Sequence, residues 1–305
     1  MLLDAGAVLS GERPGSLSAL HHAAYDMRPD VVDVLLAQGA EANEWFSPEA
    51  AIESLNVPFG GTALHLLAAS LGHARDRKVE MDSKPDLFLP GFASAAEAAA
   101  RRAAICDALV RAGANVEALT TPPAGDSLIN YIQTPLVVAS RTGDAAVIKA
   151  LLRAGATVDA VEQTSDRTAL HFAALGGHTD AIYALAAGGA DLNKMLKFGP
   201  LTPLASAVVQ NHHAAVRALL ELGADSLFEA TFLTVQTGPM SRTVDATTRA
   251  LVEGHRSGVA SPAHSCSLPD CDARRRLDYD DKRLMMCPCK VRRKLPLGVT
   301  AMHGH

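Results

Sequence analysis

Four cysteines near the end of the chain, Cys266, Cys271, Cys287 and Cys289, form a C-x4-C pair and a C-x-C pair separated by 15 residues. Four thiolates can hold one Zn2+ tetrahedrally if the chain closes them to about 2.3 Å Zn–S distances. With no secretory signal in the sequence, clustered thiols read as metal ligands before disulfides. His264, His303 and His305 are nitrogen donors in the same segment that could stand in for a missing ligand. The competing reading is four reduced cysteines in a tail without metal. A second set, His21, His65 and His171, recurs at one position of a repeated pattern. Metal or catalytic work would need these imidazoles to converge, whereas repetition sets them a copy apart. They therefore read as buried rings bonded to neighbouring backbone. Asn211-His212-His213 reads as a polar turn, and Cys106, in AICDALV, as a packing thiol on an apolar helix face. No glycine-rich phosphate loop follows a strand and no Ser/His/Asp order suggests a nucleophile, so neither an enzyme nor a small-molecule substrate is expected.

The elements that must position these groups come from one short cassette. Ser18-Ala-Leu-His, Thr62-Ala-Leu-His, Thr134-Pro-Leu-Val, Thr168-Ala-Leu-His and Thr202-Pro-Leu-Ala open five copies, and Gly-Ala pairs at Gly39, Gly113, Gly155, Gly189 and Gly223 close them. A sixth pair, at Gly6, closes a copy whose beginning is missing, so the chain reads as truncated in front. From cassette Leu to closing Gly is 19 residues in four of the five copies. A period near 33 means a solenoid of stacked units, and such arrays recognise partners along a surface. In the clearest copy, Asp166 to Asn193, Thr168 caps a first helix and Gly176-Gly177 stops it. A second helix is expected over Thr179–Ala187, with Ile182 and Leu185 inward, and Gly189 ends it. Helices this short are marginal in isolation, so stacking on adjacent copies must supply their burial.

The cassette resembles the ankyrin repeat, whose T-P-L-H-x-A signature appears as TALHLLAA at 62–69 and TALHFAA at 168–174. The resemblance covers roughly residues 1–225; copies three and five depart from it at Val137 and Ala205. It implies an all-α fold, a helical solenoid with short β-hairpin fingers and a partner protein held on the fingers and concave face. The cysteine segment resembles the first half of a MYND-type zinc finger, a family that uses seven cysteines and one histidine for two zincs. The third cysteine pair and the closing ligands of that pattern do not follow Lys290. The cofactor this resemblance implies is zinc, on Cys266, Cys271, Cys287 and Cys289.

The irregularities individualise the array. In copy two the Leu-to-Gly distance is 49, so 30 residues are inserted between its helices; the stretch 72–93, with Pro85, Pro90 and Gly91, reads as an exposed loop. Ser94 and Glu97 then form a capping box that extends the second helix backwards from Cys106. The fingers after Gly39 and Gly113 are longer than the later two, and hold Trp45-Phe46 and Thr120–Ala124. Trp45 and Phe46 are candidate partner anchors, with packing on their own stack as the alternative. Lys194, Met195, Lys197 and Phe198, on the finger between copies four and five, are candidates for their mix of apolar and basic character. After Asp225 the cassette stops, and Thr243–His255 is expected to form a polar-faced capping helix within a 226–262 linker.

At 48% hydrophobic but 4% aromatic residues, the core must be Ala and Leu, which suits close helix packing. No apolar run approaches the length of a membrane span. The segment 263–305 carries nine Lys/Arg against five Asp, and the remainder of the chain is acidic. Lys290-Val-Arg-Arg-Lys leaves nuclear import open for an otherwise cytoplasmic reading, but nucleic acid is not expected as a partner. The leading expectation is a protein-interaction scaffold. The rival expectations are a zinc-dependent adaptor whose tail recruits a second peptide, and a truncated product without independent function.

Overall fold

The computed structural model describes residues 15–55, 57, 59–70, 94–121, 132–162, 165–197, 201–225 and 244–258. The chain divides into two units, Met1–His255 and Arg256–His305, and the architecture below belongs to the first. Helices alternate along it: α1 (Ala19–Tyr25), α2 (Pro29–Ala37), α3 (Pro48–Leu55), α4 (63–70), α5 (Ala95–Arg111) and α6 (Pro135–Thr142). They continue with α7 (Ala145–Arg153), α8 (Ala169–Leu175), α9 (Thr179–Ala187), α10 (Pro203–Val209), α11 (His213–Glu221) and α12 (Ala246–Gly258). Each cassette is one pair, and like helices stack on like: α6 on α8 on α10 in one row, α2 on α5 on α7 on α9 on α11 in the other. The all-α, paired arrangement expected of the repeat is what the molecule shows.

Each pair forms for reasons visible in its residues. Where Pro occupies the first helical position, at Pro135 and Pro203, the preceding Thr134 and Thr202 hydroxyls accept the N–H of Val137 and Ala205. Leu170, Phe172, Ala173, Ile182 and Leu185 are buried, as their spacing predicts. The second helices carry Ala108, Ala150, Ala184 and Ala218 at one buried position, where a small side chain permits close approach of the neighbouring helix. Each second helix ends with paired bonds from the Gly and Ala of the closing dipeptide back to the last turn, as Gly189 N to Ala186 O (3.0 Å) and Ala190 N to Leu185 O (3.1 Å). That turn needs the left-handed φ of +86° to +94° found at Gly39, Gly113, Gly155, Gly189 and Gly223.

The long helix α5 begins where the sequence places it, with Ser94 Oγ accepting the Glu97 N–H at 3.2 Å. Its extra length explains a buried ion pair. In copies four and five the residue 11 before the closing glycine stands at the N-cap of the second helix and its side chain reaches back to the preceding copy: His178 to Arg141 O (2.9 Å) and His212 to Leu175 O (3.0 Å). In copy two the helix runs through this position, which is Arg102, so no cap is needed there. Copy three answers with Asp144, which caps α7 through the N–H of Ala146 and Val147 and lies 2.6 Å from Arg102 Nε. Both side chains are buried, and the two atoms meet as charges without hydrogen-bond alignment.

Two features differ from the sequence reading or add to it. The long finger after Gly39 is not extended throughout: Pro48 starts α3, and Ala51, Val57 and Phe59 are buried. The helix after the last cassette, α12, is tied to copy five through its first residues. Asp245 caps it (Thr248 N to Oδ1, 2.6 Å) and reaches back to copy five through Asn211 Oδ1 at 2.9 Å and His213 Nε2 at 2.8 Å. Seven residues on, Val252 is buried as Leu151, Leu185 and Leu219 are seven residues after Asp144, His178 and His212.

Candidate interaction surface

The fingers are fixed by two sets of bonds that recur copy after copy. In each of the first four, the N–H five residues after the closing glycine donates to the carbonyl two residues after it. These bonds are Glu44 N to Glu41 O, Ala118 N to Asn115 O, Ala160 N to Thr157 O and Lys194 N to Asp191 O, at 3.1–3.3 Å. The side chain four residues after the glycine then accepts an N–H from the next finger. Asn43 takes it from Asn115 at 2.7 Å, Glu117 from Thr157 at 2.6 Å, Asp159 from Asp191 at 3.2 Å and Asn193 from Asp225 at 2.8 Å. Asn43 also donates to the Gly113 carbonyl at 2.8 Å. One polar side chain per copy therefore sets the pitch of the fingers.

The cassette histidines anchor the fingers from inside. The Nδ1 of His21, His65 and His171 accepts the N–H of Ser18, Thr62 and Thr168 at 3.0–3.2 Å, with the hydroxyls of those residues beside it. An accepting Nδ1 places the proton on Nε2. From there His21 donates to Glu44 O at 3.0 Å, His65 to Ala118 O at 3.1 Å and Gln133 O at 3.2 Å, and His171 to Leu201 O at 3.2 Å. Burial holds the His65 and His171 pKa values down to about 4 and lowers that of His21. Copy three has Val137 instead, and its finger is closed by Glu162 N to Arg167 O at 2.8 Å.

This scaffolding presents an apolar side chain at the same place on each of four fingers. Trp45, Leu119, Val161 and Met195 all stand six residues after their closing glycine and are 41%, 44%, 42% and 39% exposed. They form a stripe one side chain per copy wide. Around them lie the exposed carboxylates of Glu41, Glu117 and Asp191. The first two fingers are joined through backbone pairs, Phe46 with Gly61 and Gly60 with Thr121.

The expected anchors divide accordingly. Trp45 and Met195 lie on the stripe. Phe46 does not: it is fully buried, edge-on to His21 with ring centroids 5.1 Å apart, because adjacent residues of an extended finger point to opposite sides. The anchor reading of Phe46 is corrected to packing on its own stack. Lys194 is half-buried beside the stripe, and Lys197 is exposed with Nζ 3.3 Å from Asp166 Oδ1. Phe198 lies outside the described residues, as do Cys266, Cys271, Cys287, Cys289, the 72–93 stretch and the 263–305 tail. Leu119 and Val161 escaped the sequence reading, although their offset from the glycine is a signal that would have found them. Cys106 is a buried core residue whose thiol pKa is pushed up to about 12, chiefly by burial, which makes it a poor nucleophile. Among the described residues no helix is long and apolar enough to cross a membrane.

Residues 92–195 and 136–229 match the family described as ankyrin repeats (3 copies). Together the two matches span residues 92–229. The matched span holds three of the four stripe fingers, and the finger bonds and closing turns continue unchanged into the copy before it. Such repeats are typical of non-catalytic proteins that bind other proteins. No curated protein matches the chain.

Proposed function

We propose that the chain is an interaction scaffold that holds a partner protein along the four-finger stripe. The single observation that carries this reading is the register: Trp45, Leu119, Val161 and Met195 are exposed at the same offset on successive fingers. Chance exposure of apolar residues scatters them, whereas a repeat array can offer a row of equivalent contacts on a rigid support. Trp45 is the strongest anchor of the row, since buried aromatic side chains dominate interface energies. The reading is tested with a variant in which all four residues are serine. It should fold with an unchanged melting profile and lose the partner that the wild-type chain captures from its native cell. Capture at wild-type level by the four-serine chain removes the stripe as the binding surface.

A further inference from the structure

The spacing of the stripe selects a backbone for its occupant. The second helices α5, α7, α9 and α11 pack side by side, and packed helices stand about 8–10 Å apart. The fingers leave their C-termini, so the stripe advances by about that distance per copy. An α-helix returns a side chain to one face about every 5.4 Å, so half of its apolar face would fall between fingers. In a flat strand, side chains alternate between two faces, and every third one lands on alternate sides. A polyproline II helix has three residues per turn and rises about 3.1 Å per residue, so it shows one face every ~9 Å. Its backbone has no internal hydrogen bonds and is already extended, so little order is lost on binding.

The charge beside the stripe selects what lies between the apolar positions. The first three fingers, residues 40–46, 114–120 and 156–162, contain Glu41, Glu44, Glu117, Asp159 and Glu162 and neither Lys nor Arg. Glu117 and Asp159 are held in place by the next finger's N–H, so their charge is fixed beside the stripe. The half-exposed indole of Trp45 adds an aromatic ring that a guanidinium can stack on. Resting on the reading that the fingers are the binding surface, the geometry points to a polyproline II segment of about ten residues as the occupant. It carries an apolar side chain at every third position and Lys or Arg between them.

The test is a fluorescein-labelled decapeptide, Leu-Pro-Arg repeated three times and closed with Leu, titrated with the full chain by fluorescence anisotropy. Saturable binding is expected. It should weaken by roughly tenfold or more when the same residues are reordered to break the three-residue period, when Glu replaces Arg, and when the chain carries Leu119→Ser. Equal binding of the reordered peptide overturns the proposal. So does binding of a 22-residue helical peptide with Leu at every seventh position in place of the decapeptide. If the four-serine chain loses its native partner but the decapeptide does not bind the wild type, this proposal falls and the surface reading stands. If the four-serine chain keeps its partner, both fall.

Discussion

Acid should loosen this array through its cassette histidines, at a pH where carboxylates still hold their charge. His65 and His171 have ordinary values of 6.5 in the unfolded chain and about 4 in the fold, and His21 moves in the same direction. A folded pKa below the unfolded one means that the unfolded chain binds more protons between the two. Stability is therefore full above 6.5 and is lost as pH falls towards 4. For one group with these values, the loss between pH 7 and pH 5 is about 2 kcal/mol, so the two residues together remove about 4 kcal/mol. That is a large share of the ~5–15 kcal/mol typical of a folded domain. The chemical cause is local. A protonated Nδ1 cannot accept the N–H of Thr62 or Thr168, so the ring that held both a helix cap and a finger carbonyl is turned against one of them. Urea melts at half-unit steps from pH 7 to 5 measure the effect. A chain with valine at positions 21, 65 and 171, as copy three has at Val137, should be less stable at pH 7 but nearly level across the range. A wild-type midpoint that does not move between pH 7 and 5, or a slope that persists in the triple variant, refutes the assignment.

Three substitutions probe other joints of the structure. A Cβ on Gly60 would stand 2.6 Å from Phe46 O and 2.7 Å from Thr121 Oγ1, so Gly60→Ala should cost about 1–3 kcal/mol in chemical melts and release the pairing of the first two fingers. Arg102→Met leaves the buried Asp144 charge without its partner and should cost ~3–5 kcal/mol, while adding Asp144→Asn, which keeps the α7 cap, should recover most of the loss; equal melts for the single and double variants would show that the charge is not what matters. Leu170→Asp puts an unpaired charge into the stacked core, and hydrogen exchange should show lost protection in the adjoining copies as well as in its own, since each copy is buried by its neighbours; loss confined to residues 168–189 would contradict the stack.

The sequence by itself determined the repeat. Cassette spacing placed a helix at about Thr179–Ala187, put Leu170 and Ile182 inside, and started α5 at Ser94, because caps, glycines and apolar periodicity act within a few residues of one another. It also read the recurring histidines as buried rings, since a fixed position in a solenoid keeps them apart. What it left open depends on which way a side chain points and on what lies across from it. Trp45 and Phe46 are adjacent and both aromatic, yet one is exposed and the other fully buried, a difference set by the pairing of Phe46 with Gly61. The Arg102–Asp144 pair joins residues 42 apart, and follows from α5 running through a position that other copies use as a cap. Leu119 and Val161 looked like ordinary apolar residues until the stacking of the fingers aligned them with Trp45 and Met195. Local chemistry wrote each copy. The surface belongs to the stack, because it exists only where four copies, each pitched by a side chain of the one before, bring the same position into a row.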